Sequence, residues 1–468
     1  MEFEIRNIGN FSQADIEVGG ITLIAGENNT GKSTIEKAIS LTLSSLYGLT
    51  DYIQADRYRT LSITLNKQGT ILDNLLKNIS GSDKSRNVGD VEKLQENYAY
   101  AISINTPMEK EGLTALLKEY SGNHARYYEV EYDKLINLSE YAAWLDDTTD
   151  KIRADMSVSD DTIGKNSITE YVDNFFKNQI VKFGSEDADS YIRMSDNGYV
   201  NRMAFEHSTK TTRDSCSDLQ MGMPVMSPMV YIDSTDIFDK INMNEMSDPQ
   251  HDIRYMLSPG RKNGVIFKNV WNSIQKNDPH KKQYEPAETA IQKEQTQNLV
   301  DRFDGIISDI VHGHLKISAS GEFRFAQDGS KRTIDMQNLS TGIKSFSVLS
   351  TAIQYRCIVP GSVILLDEPE INLHPDWQLK YAELLVRIQK EMDLKIIITT
   401  HSPYFVNAIE AYSKKYKTQD GCRFYLTESS DTGYIAKDVT ADVRPIYAKL
   451  ARPFDILEQV EDEDEGDN

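Results

Sequence analysis

A nine-residue stretch near the start of the chain has the residue types and spacing that bind phosphate groups. It matches the pattern G-x-x-x-x-G-K-[ST], with an apolar run before it and a helix-like run after it. Its glycines let the backbone fold around a phosphate, and the helix N-terminus adds partial positive charge. The lysine would reach the β- and γ-phosphates of ATP, and Ser33 would bind Mg²⁺. The predicted nucleotide-binding residues are Gly26, Glu27, Asn28, Asn29, Thr30, Gly31, Lys32, Ser33 and Thr34.

Two acidic residues follow a second apolar run, Val363–Leu366. Ligands of open α/β sheets bind at the carboxyl ends of parallel strands, so carboxylates at that position would face the phosphates. We expect Asp367 to hold Mg²⁺ through water and Glu368 to orient or deprotonate the attacking water. The alternative is an exposed Asp-Glu pair, and burial of this strand beside the phosphate-binding loop argues against it.

A histidine ends the next apolar run, Lys395–Thr399, in the sequence Thr-Thr-His-Ser-Pro. At the end of a strand beside the phosphate site, His401 could hydrogen-bond the γ-phosphate. A polar residue that merely caps the strand is the alternative, and we favour the functional role.

A helix start precedes the acidic strand, in the sequence Leu-Ser-Thr-Gly-Ile-Lys at residues 339–344. Ser340 has the type of a helix N-cap, and Gly342 permits close approach of another backbone. Taken alone, this pattern predicts an ordinary capped helix. Beside the other motifs it predicts a second anion-binding helix start, which would meet the γ-phosphate held by a partner molecule.

The elements around these motifs indicate an α/β fold with a parallel sheet. Short apolar runs alternate with amphipathic helical stretches at both ends of the chain, while the long middle region is polar and rich in helical patterns. We expect one sheet-containing head that is split by an insertion. The predicted parts are an N-terminal lobe at 1–50 plus 225–240, a mainly helical insertion at 51–224 and 241–311, a C-terminal lobe at 312–450 and an acidic tail at 451–468.

Composition limits the classes of protein. The 468 residues include 39% hydrophobic and 26% charged residues, which indicates a folded globular chain. No apolar run approaches the roughly 20 residues needed to cross a bilayer, and the three cysteines are far apart. These features predict a cytoplasmic protein without a membrane partner. The net charge of −21 predicts that nucleic acid contacts require a local basic patch or a partner subunit.

The motif set resembles the ABC-type ATPase heads of the SMC, RecF and RecN group. The order is the same: phosphate-binding loop, long insertion, signature, acidic strand end, Glu370–Pro375 as the D-loop, and a switch histidine. The form Asp-Glu-Pro-Glu-x-x-Leu-His-Pro, followed by Thr-His-Ser-Pro, is similar to ATPase subunits of bacterial anti-phage systems of the Septu (PtuA-like) and retron types. The resemblance covers about the first 50 and the last 150 residues. The signature departs from it, with Leu-Ser-Thr-Gly-Ile in place of Leu-Ser-Gly-Gly-Gln.

This resemblance implies an ATPase that works as a head-to-head dimer or higher oligomer. Two heads would enclose two ATP molecules, and Ser340 and Gly342 of one head would contact the γ-phosphate bound by Lys32 of the other. It further implies a defence complex in which this chain, with no nuclease site of its own, scaffolds and gates a separate HNH-type nuclease. Nucleic acid would then be contacted through the complex.

Two other functions stay open at the level of the sequence. One is a RecF/RecN-like repair ATPase that binds DNA directly, and the other is a nucleotide-sensing scaffold with little turnover. The insertion has no Cys-x-x-Cys pair and no long heptads, which disfavours zinc-hook proteins and true SMC arms. The segment after His401 is too short for the appended nuclease of some related ATPases.

Overall fold

The computed structural model describes most of the chain, and the described residues form two compact units. The sheet unit comprises residues 1–47 and the described residues from 165 onward, and the helical unit comprises the described residues between 48 and 164. The predicted acidic tail lies outside the described residues except for its first two positions. Described are residues 1–452 without 82–87, 186–187, 223–224, 226–228, 233–297, 299–300, 304, 309, 318–322, 331, 336–337, 355–356 and 372.

A mixed sheet of eleven strands dominates the described part of the sheet unit. Its strand order is β6-β5-β4-β1-β2-β14-β13-β3-β12-β11-β7, and β8, β9 and β10 form a separate antiparallel sheet. The strands are β1 (Glu2–Ile8), β2 (Phe11–Glu17), β3 (Ile21–Ala25), β4 (Ser190–Asp196), β5 (Tyr199–Ser208), β6 (Arg213–Gln220), β7 (Met229–Ile232), β8 (Gly313–Ile317), β9 (Phe323–Gln327), β10 (Thr333–Asp335), β11 (Val363–Asp367), β12 (Lys395–Thr400), β13 (Cys422–Ser430) and β14 (Gly433–Asp438).

The strands β13, β3, β12, β11 and β7 lie side by side and run parallel to one another. Every residue of β3 and the first four of β11 are buried, as is usual for parallel strands covered on both faces. Their Val and Ile side chains suit that position because β-branched residues pack well on a pleated surface. The structure confirms the α/β class predicted from these apolar runs.

Helices follow the strands that end at the predicted site. Three buried rings, those of Phe346, Tyr381 and Phe405, join α8, α9 and α10 in one core, with ring centroids 5.0 and 6.4 Å apart. The helices are α1 (Lys32–Leu46), α2 (Leu49–Ser80), α3 (Val88–Ile104), α4 (Lys110–Tyr127), α5 (Tyr132–Ile136), α6 (Ser139–Met156), α7 (Asp160–Phe176), α8 (Thr341–Gln354), α9 (Pro375–Met392) and α10 (Pro403–Tyr416).

The helical unit has its own hydrophobic core. Leu65, Leu72 and Leu117 are fully buried in it, and the indole of Trp144 donates a hydrogen bond to the Gln68 carbonyl at 2.9 Å. A partner for the polar edge of a buried tryptophan is what stable packing requires. The unit therefore folds around its own apolar residues rather than as a solvated loop.

The insertion boundary differs from the sequence prediction. The range 51–224 was expected to be mainly helical, yet residues 190–220 form β4, β5 and β6, which extend the main sheet beyond β1. Their buried residues alternate with polar ones, for example Ile192 and Met194 in β4. This alternation with a period of two extends over only a few residues in each strand. The region is also polar in composition, so the sequence did not reveal the strands. Of the second predicted piece, residues 241–297 lie outside the described residues.

Two expectations from composition concern the membrane and the cysteines. Among the described helices, none combines the length and apolar character needed to cross a bilayer. Cys216, Cys357 and Cys422 are buried, and none of them forms a disulfide.

Candidate functional site

The site is built where three neighbouring parallel strands end. In the register of the sheet, Thr400 of β12 lies opposite Ala25 of β3, and Asp367 of β11 lies opposite Thr399 of β12. The residues that follow these strands therefore emerge side by side at one edge of the sheet. This register brings the phosphate-binding loop together with the acidic pair and the histidine, although the loop lies more than 330 residues before them in the sequence.

The loop after β3 has a backbone that only small residues permit. Gly31 has φ +84°, in the left-handed region, and stands immediately before α1. A Cβ atom there would lie 2.4 Å from the ring of Phe11, and a Cβ at Gly26 would lie 2.0 Å from the hydroxyl of Thr427. Close packing therefore requires glycine at both positions of the motif, and the left-handed backbone also favours it at Gly31.

Hydroxyl groups tie this loop to the neighbouring strand β13. The Thr30 hydroxyl donates to the Glu27 carbonyl at 2.8 Å and lies 2.5 Å from the hydroxyl of Thr427. The Glu27 carboxylate pairs with Lys449 at 3.4 Å. Thr427 is distant in sequence and belongs to no motif, so only the pairing of β13 with β3 reveals its role.

Lys32 begins α1 and reaches back into the loop. Its Nζ donates to the carbonyl oxygens of Gly26 at 3.2 Å and Glu27 at 2.9 Å, and only 4% of the residue is exposed. Burial lowers the pKa of the Lys32 amine, while the carboxylates of Glu368 and Asp367 act in the opposite direction. A buried ammonium among carbonyls and carboxylates is poised to interact with an anion in the loop.

The acidic pair lies at the end of β11, where Asp367 is the last residue of the strand and Glu368 begins a strained turn. The Thr399 hydroxyl donates to the Asp367 carboxylate at 2.6 Å, and the Glu368 N–H donates to the Thr399 carbonyl at 3.1 Å. Glu368 has φ +46°, which is unfavourable for a residue with a side chain. The strain directs the Glu368 carboxylate along the sheet edge toward the end of β12, where it meets a partner.

That partner is His401. Its Nε2 forms a short hydrogen-bond contact with the Glu368 carboxylate, and its Nδ1 lies 2.8 Å from the Gly26 carbonyl and 3.2 Å from Lys32 Nζ. Beside a carboxylate, Nε2 serves as the donor. The imidazole thus bridges the acidic strand end and the phosphate-binding loop.

An open cavity of about 470 Å³ adjoins these residues. Its wall combines carboxylates and an imidazole with amide and apolar side chains, so it can contact both polar and apolar parts of a ligand. Ile371 in this wall is 52% exposed. The lining residues are Asn28, Glu368, Glu370, Ile371, Leu373, Gln378, His401 and Ser402.

The signature residues lie at the start of α8. Ser340 is exposed at the start of α8, and its hydroxyl accepts from the Ile343 N–H at 3.5 Å, within its own helix. A Cβ at Gly342 would meet Leu373 at 3.4 Å and Trp377 at 3.5 Å, which is ordinary contact distance. In this chain Ser340 therefore caps a helix, as the simpler interpretation of the sequence predicted, and its surface is open.

The residues present fit Mg²⁺ and a nucleotide. Ser33, half-buried in the first turn of α1, and Asp367 offer hard oxygen ligands. Among the described residues there is no cluster of three or more His, Cys, Asp or Glu side chains that could hold a metal by itself. Mg²⁺ usually takes one or two protein oxygens and completes its shell with phosphates and water, so this sparse set suits it.

Thr34 completes the loop motif as a packing residue. Its N–H donates to the Gly31 carbonyl at 2.7 Å, and its methyl group lies where a Cβ at Gly9 would clash, at 2.6 Å. Asn29 takes φ +62°, a conformation that asparagine tolerates better than most residues. These two positions shape the loop.

Comparison with known proteins gives a family and several distant relatives. Residues 1–406 match the family model described as an AAA ATPase domain. The chain is 33% identical over 132 residues to the Septu protein PtuA of Bacillus thuringiensis, covering 26% of this chain and 32% of that one. It is 23% identical over 239 residues to the Retron Vc95 probable ATPase of Vibrio cholerae serotype O1 biovar El Tor, covering 48% and 45%. The chain thus spans less than half of the length of these relatives.

Solved structures with a similar arrangement include two SMC heads. The SMC head domain from Thermotoga maritima has 12% identity and a TM-score of 0.37, with 94% of this chain and 98% of that chain covered. An SMC head bound to the C-terminal winged-helix domain of ScpA has 11% identity and a TM-score of 0.43, with 94% and 97% covered.

The family match includes the phosphate-binding loop, the acidic strand end and the histidine. It covers 406 of the 468 residues, and it includes all three strands whose ends build the site. The chain belongs to the AAA ATPase domain family.

Proposed function

We propose that this protein binds ATP with Mg²⁺ and hydrolyses it to ADP and phosphate. The observation that carries the proposal is the contact of Lys32, His401 and Glu368 at the ends of three adjacent parallel strands. In this row the Lys32 ammonium can stabilise negative charge on the phosphates, and the Glu368 carboxylate can accept a proton. The His401 imidazole lies between them.

Each residue then has a role that its position supports. The loop N–H groups and Lys32 hold the phosphates, and Ser33 and Asp367 hold Mg²⁺, which neutralises charge on the transferred group when bound. Glu368 orients water and accepts its proton, because its carboxylate is held by His401 rather than left free to rotate. His401 hydrogen-bonds the γ-phosphate once a ring nitrogen exchanges its present partner, Glu368 or the Gly26 carbonyl, for the nucleotide.

The direct test is ATP turnover by the purified chain, with Lys32→Ala and Glu368→Gln. Lys32→Ala should weaken ATP binding, whereas Glu368→Gln should retain ATP and lose turnover by roughly 100-fold or more, the usual contribution of a general base. Turnover that survives Glu368→Gln would remove the proposed base. Tight ATP binding without turnover in the wild type would favour a nucleotide-sensing scaffold.

We further propose that the active form is a dimer or higher oligomer in which Ser340 and Gly342 serve the ATP bound by a second copy. The open surface of Ser340 and its place at a helix start support this, since free N–H groups at a helix N-terminus bind anions. Turnover that rises with protein concentration is the expected observation. Concentration-independent turnover by a proven monomer would contradict it.

The cellular role that we propose is that of the ATPase subunit of an anti-phage defence complex with a separate nuclease. The relatives named as a Septu protein and a retron ATPase support this, and so does the acidic charge of −21, which disfavours direct DNA binding. Co-expression with a neighbouring nuclease gene should give a stable complex. DNA cleavage by this chain alone that persists in Glu368→Gln would oppose this role, and steeply salt-dependent DNA binding would favour a repair ATPase.

A further inference from the structure

A buried glutamate beside the strand ends has no part in the reaction described above. Glu370 follows β11, is only 4% exposed, and borders the cavity together with Glu368 and His401. Its Oε1 accepts from the Thr400 hydroxyl and from the His401 N–H, the latter at 3.0 Å. Its Oε2 has no hydrogen-bond partner among the described residues.

Burying such a carboxyl group lowers the stability of the folded protein. Burial raises the pKa of Glu370, although its bonds to Thr400 and the His401 N–H act in the opposite direction, and the nearby Glu368 carboxylate adds to the increase. An apolar residue of similar size would avoid this cost. The two donors on Oε1 are the feature that an apolar residue could not satisfy.

Those two donors lie at the turn between β12 and α10. The Thr400 hydroxyl also accepts from the Ser402 N–H at 3.0 Å. The Ser402 hydroxyl in turn accepts from the Phe405 N–H at 3.2 Å and donates to Gln378 at 2.7 Å. Glu370 thus anchors a continuous hydrogen-bonded turn, and His401 lies in the middle of it.

The imidazole of His401 depends on that backbone. The histidine N–H is held by Glu370, while the ring reaches the Glu368 carboxylate, the Gly26 carbonyl and Lys32. A shift of about 1 Å in a reacting group costs roughly 100-fold in rate. Loss of the hydrogen bond from the His401 N–H to Glu370 would therefore displace the imidazole and lower the rate of hydrolysis.

We infer that Glu370 is a positioning residue of the hydrolytic site, which fixes the His401 backbone through Oε1 and thereby holds the imidazole between Lys32 and Glu368. This inference rests on the proposed ATP hydrolysis. It assigns Glu370 no contact with the nucleotide, so its effect should appear in kcat and not in ATP affinity.

A double-mutant cycle between Glu370→Ala and His401→Gln tests the inference through turnover. Glu370→Ala should lower kcat by about 10- to 100-fold with the Kd for ATP changed less than about twofold. In the His401→Gln background the same change should have almost no further effect, because both act through one group. Equal effects in both backgrounds, or an unchanged kcat, would overturn the inference.

Conservative and exposed variants separate positioning from a general loss of structure. Glu370→Gln keeps the Oε1 acceptor and should retain kcat within about twofold, because both donors stay satisfied. Glu206→Gln, at an exposed position of β5, is the matched control and should change nothing. If Glu370→Ala does not fold, Thr400→Val removes one of the two donors and should lower kcat by about threefold only when His401 is present. The same fall in both backgrounds would overturn the inference.

A measurement without nucleotide separates the inference from the proposed function. NMR of histidine-labelled protein, with His401 assigned by His401→Gln, should show a shift of the His401 ring signal in Glu370→Ala and none in Glu206→Gln. If the wild type has no turnover, the proposed hydrolysis fails, and this shift alone decides the inference. An unmoved ring signal would overturn it.

Discussion

The two helix starts that we propose to bind phosphate differ in how far the chain itself completes them. At the start of α1, the loop is closed by Thr427 and Phe11 from other strands, and Lys32 is buried among carbonyls. At the start of α8, Ser340 is exposed, and among the described residues its hydroxyl accepts a hydrogen bond from the Ile343 N–H of its own helix. The start of α1 is thus a pocket closed by residues of the same chain, which we call the finished pocket or finished site, and the start of α8 is an open surface.

This difference indicates which functions a single chain can perform. A pocket closed by its own strands can select and hold a phosphate, because its N–H groups and Lys32 are fixed before binding. An exposed helix start offers the same kind of N–H groups without walls, so it gains strength only when another surface excludes water. The contrast supports ATP binding by one chain and full turnover by an assembly.

The largest expected effect is at the finished site. Glu368→Gln removes the proton acceptor but keeps the size of the side chain, so turnover should fall by roughly 100- to 10,000-fold. ATP should still bind, and the complex with ATP should accumulate. Single-turnover hydrolysis and equilibrium ATP binding check both parts. Equal losses of binding and turnover would mean that Glu368 shapes the pocket rather than the reaction.

A substitution at the open helix start should have a smaller effect that a second variant can complement. Ser340→Arg places a bulky cation on the exposed surface and should lower turnover by about 10- to 100-fold while leaving ATP binding by the chain intact. Mixing it with Lys32→Ala should restore part of the activity, because one of the two composite sites then has both intact parts.

The control for this mixture is each variant alone at the same total concentration. Recovery requires exchange of subunits, so the mixture is incubated under conditions in which the wild type exchanges. Absence of recovery after proven exchange would show that Ser340 does not serve a partner's ATP. It would leave the finished pocket of Lys32 and Glu368 unaffected.

The glycine at the entry of α1 tests the closed loop by stability. Gly31→Ala forces a side chain into φ +84° and against Phe11, which should lower the free energy of unfolding by about 1–2 kcal/mol or more. ATP binding should weaken as well. Gly48→Ala, at φ +68° with nothing within 4 Å of the added Cβ, is the matched control for the backbone effect alone. Equal losses would mean that packing against Phe11 is unimportant.

The sequence predicted the loop, the acidic pair and His401, because each is a local pattern attached to a buried apolar strand. It missed Thr399, Thr400 and Thr427, which act across strands. Their positions depend on the register of β12 against β11 and of β13 against β3, and no local spacing encodes that register. Glu370 was part of a recognised segment, yet its burial and its two donors appear only when the strand ends are brought together.

The predicted boundary of the helical insertion was wrong for a related reason. β4, β5 and β6 show only short alternations of apolar and polar residues, and they become strands because β1 offers an edge to pair with. Tertiary pairing of this kind decides weak strand patterns more than intrinsic preference does. The long helices of the helical unit, by contrast, follow from repeated apolar positions along α2 and α4.

The smallest expected effect concerns the pH dependence of stability at Glu370. Burial raises the pKa of this carboxyl in the folded state, so the folded protein holds its proton more tightly than the unfolded chain does. Stability therefore falls as the pH rises through the raised pKa, and Glu370→Gln, which cannot ionise, escapes that loss. The variant should gain roughly 2 °C in Tm over the wild type at pH 8 and little at pH 5. Thermal unfolding with Glu206→Gln as control measures this difference, and a gain that shrank with rising pH would mean that the carboxyl is stabilised in its ionised form.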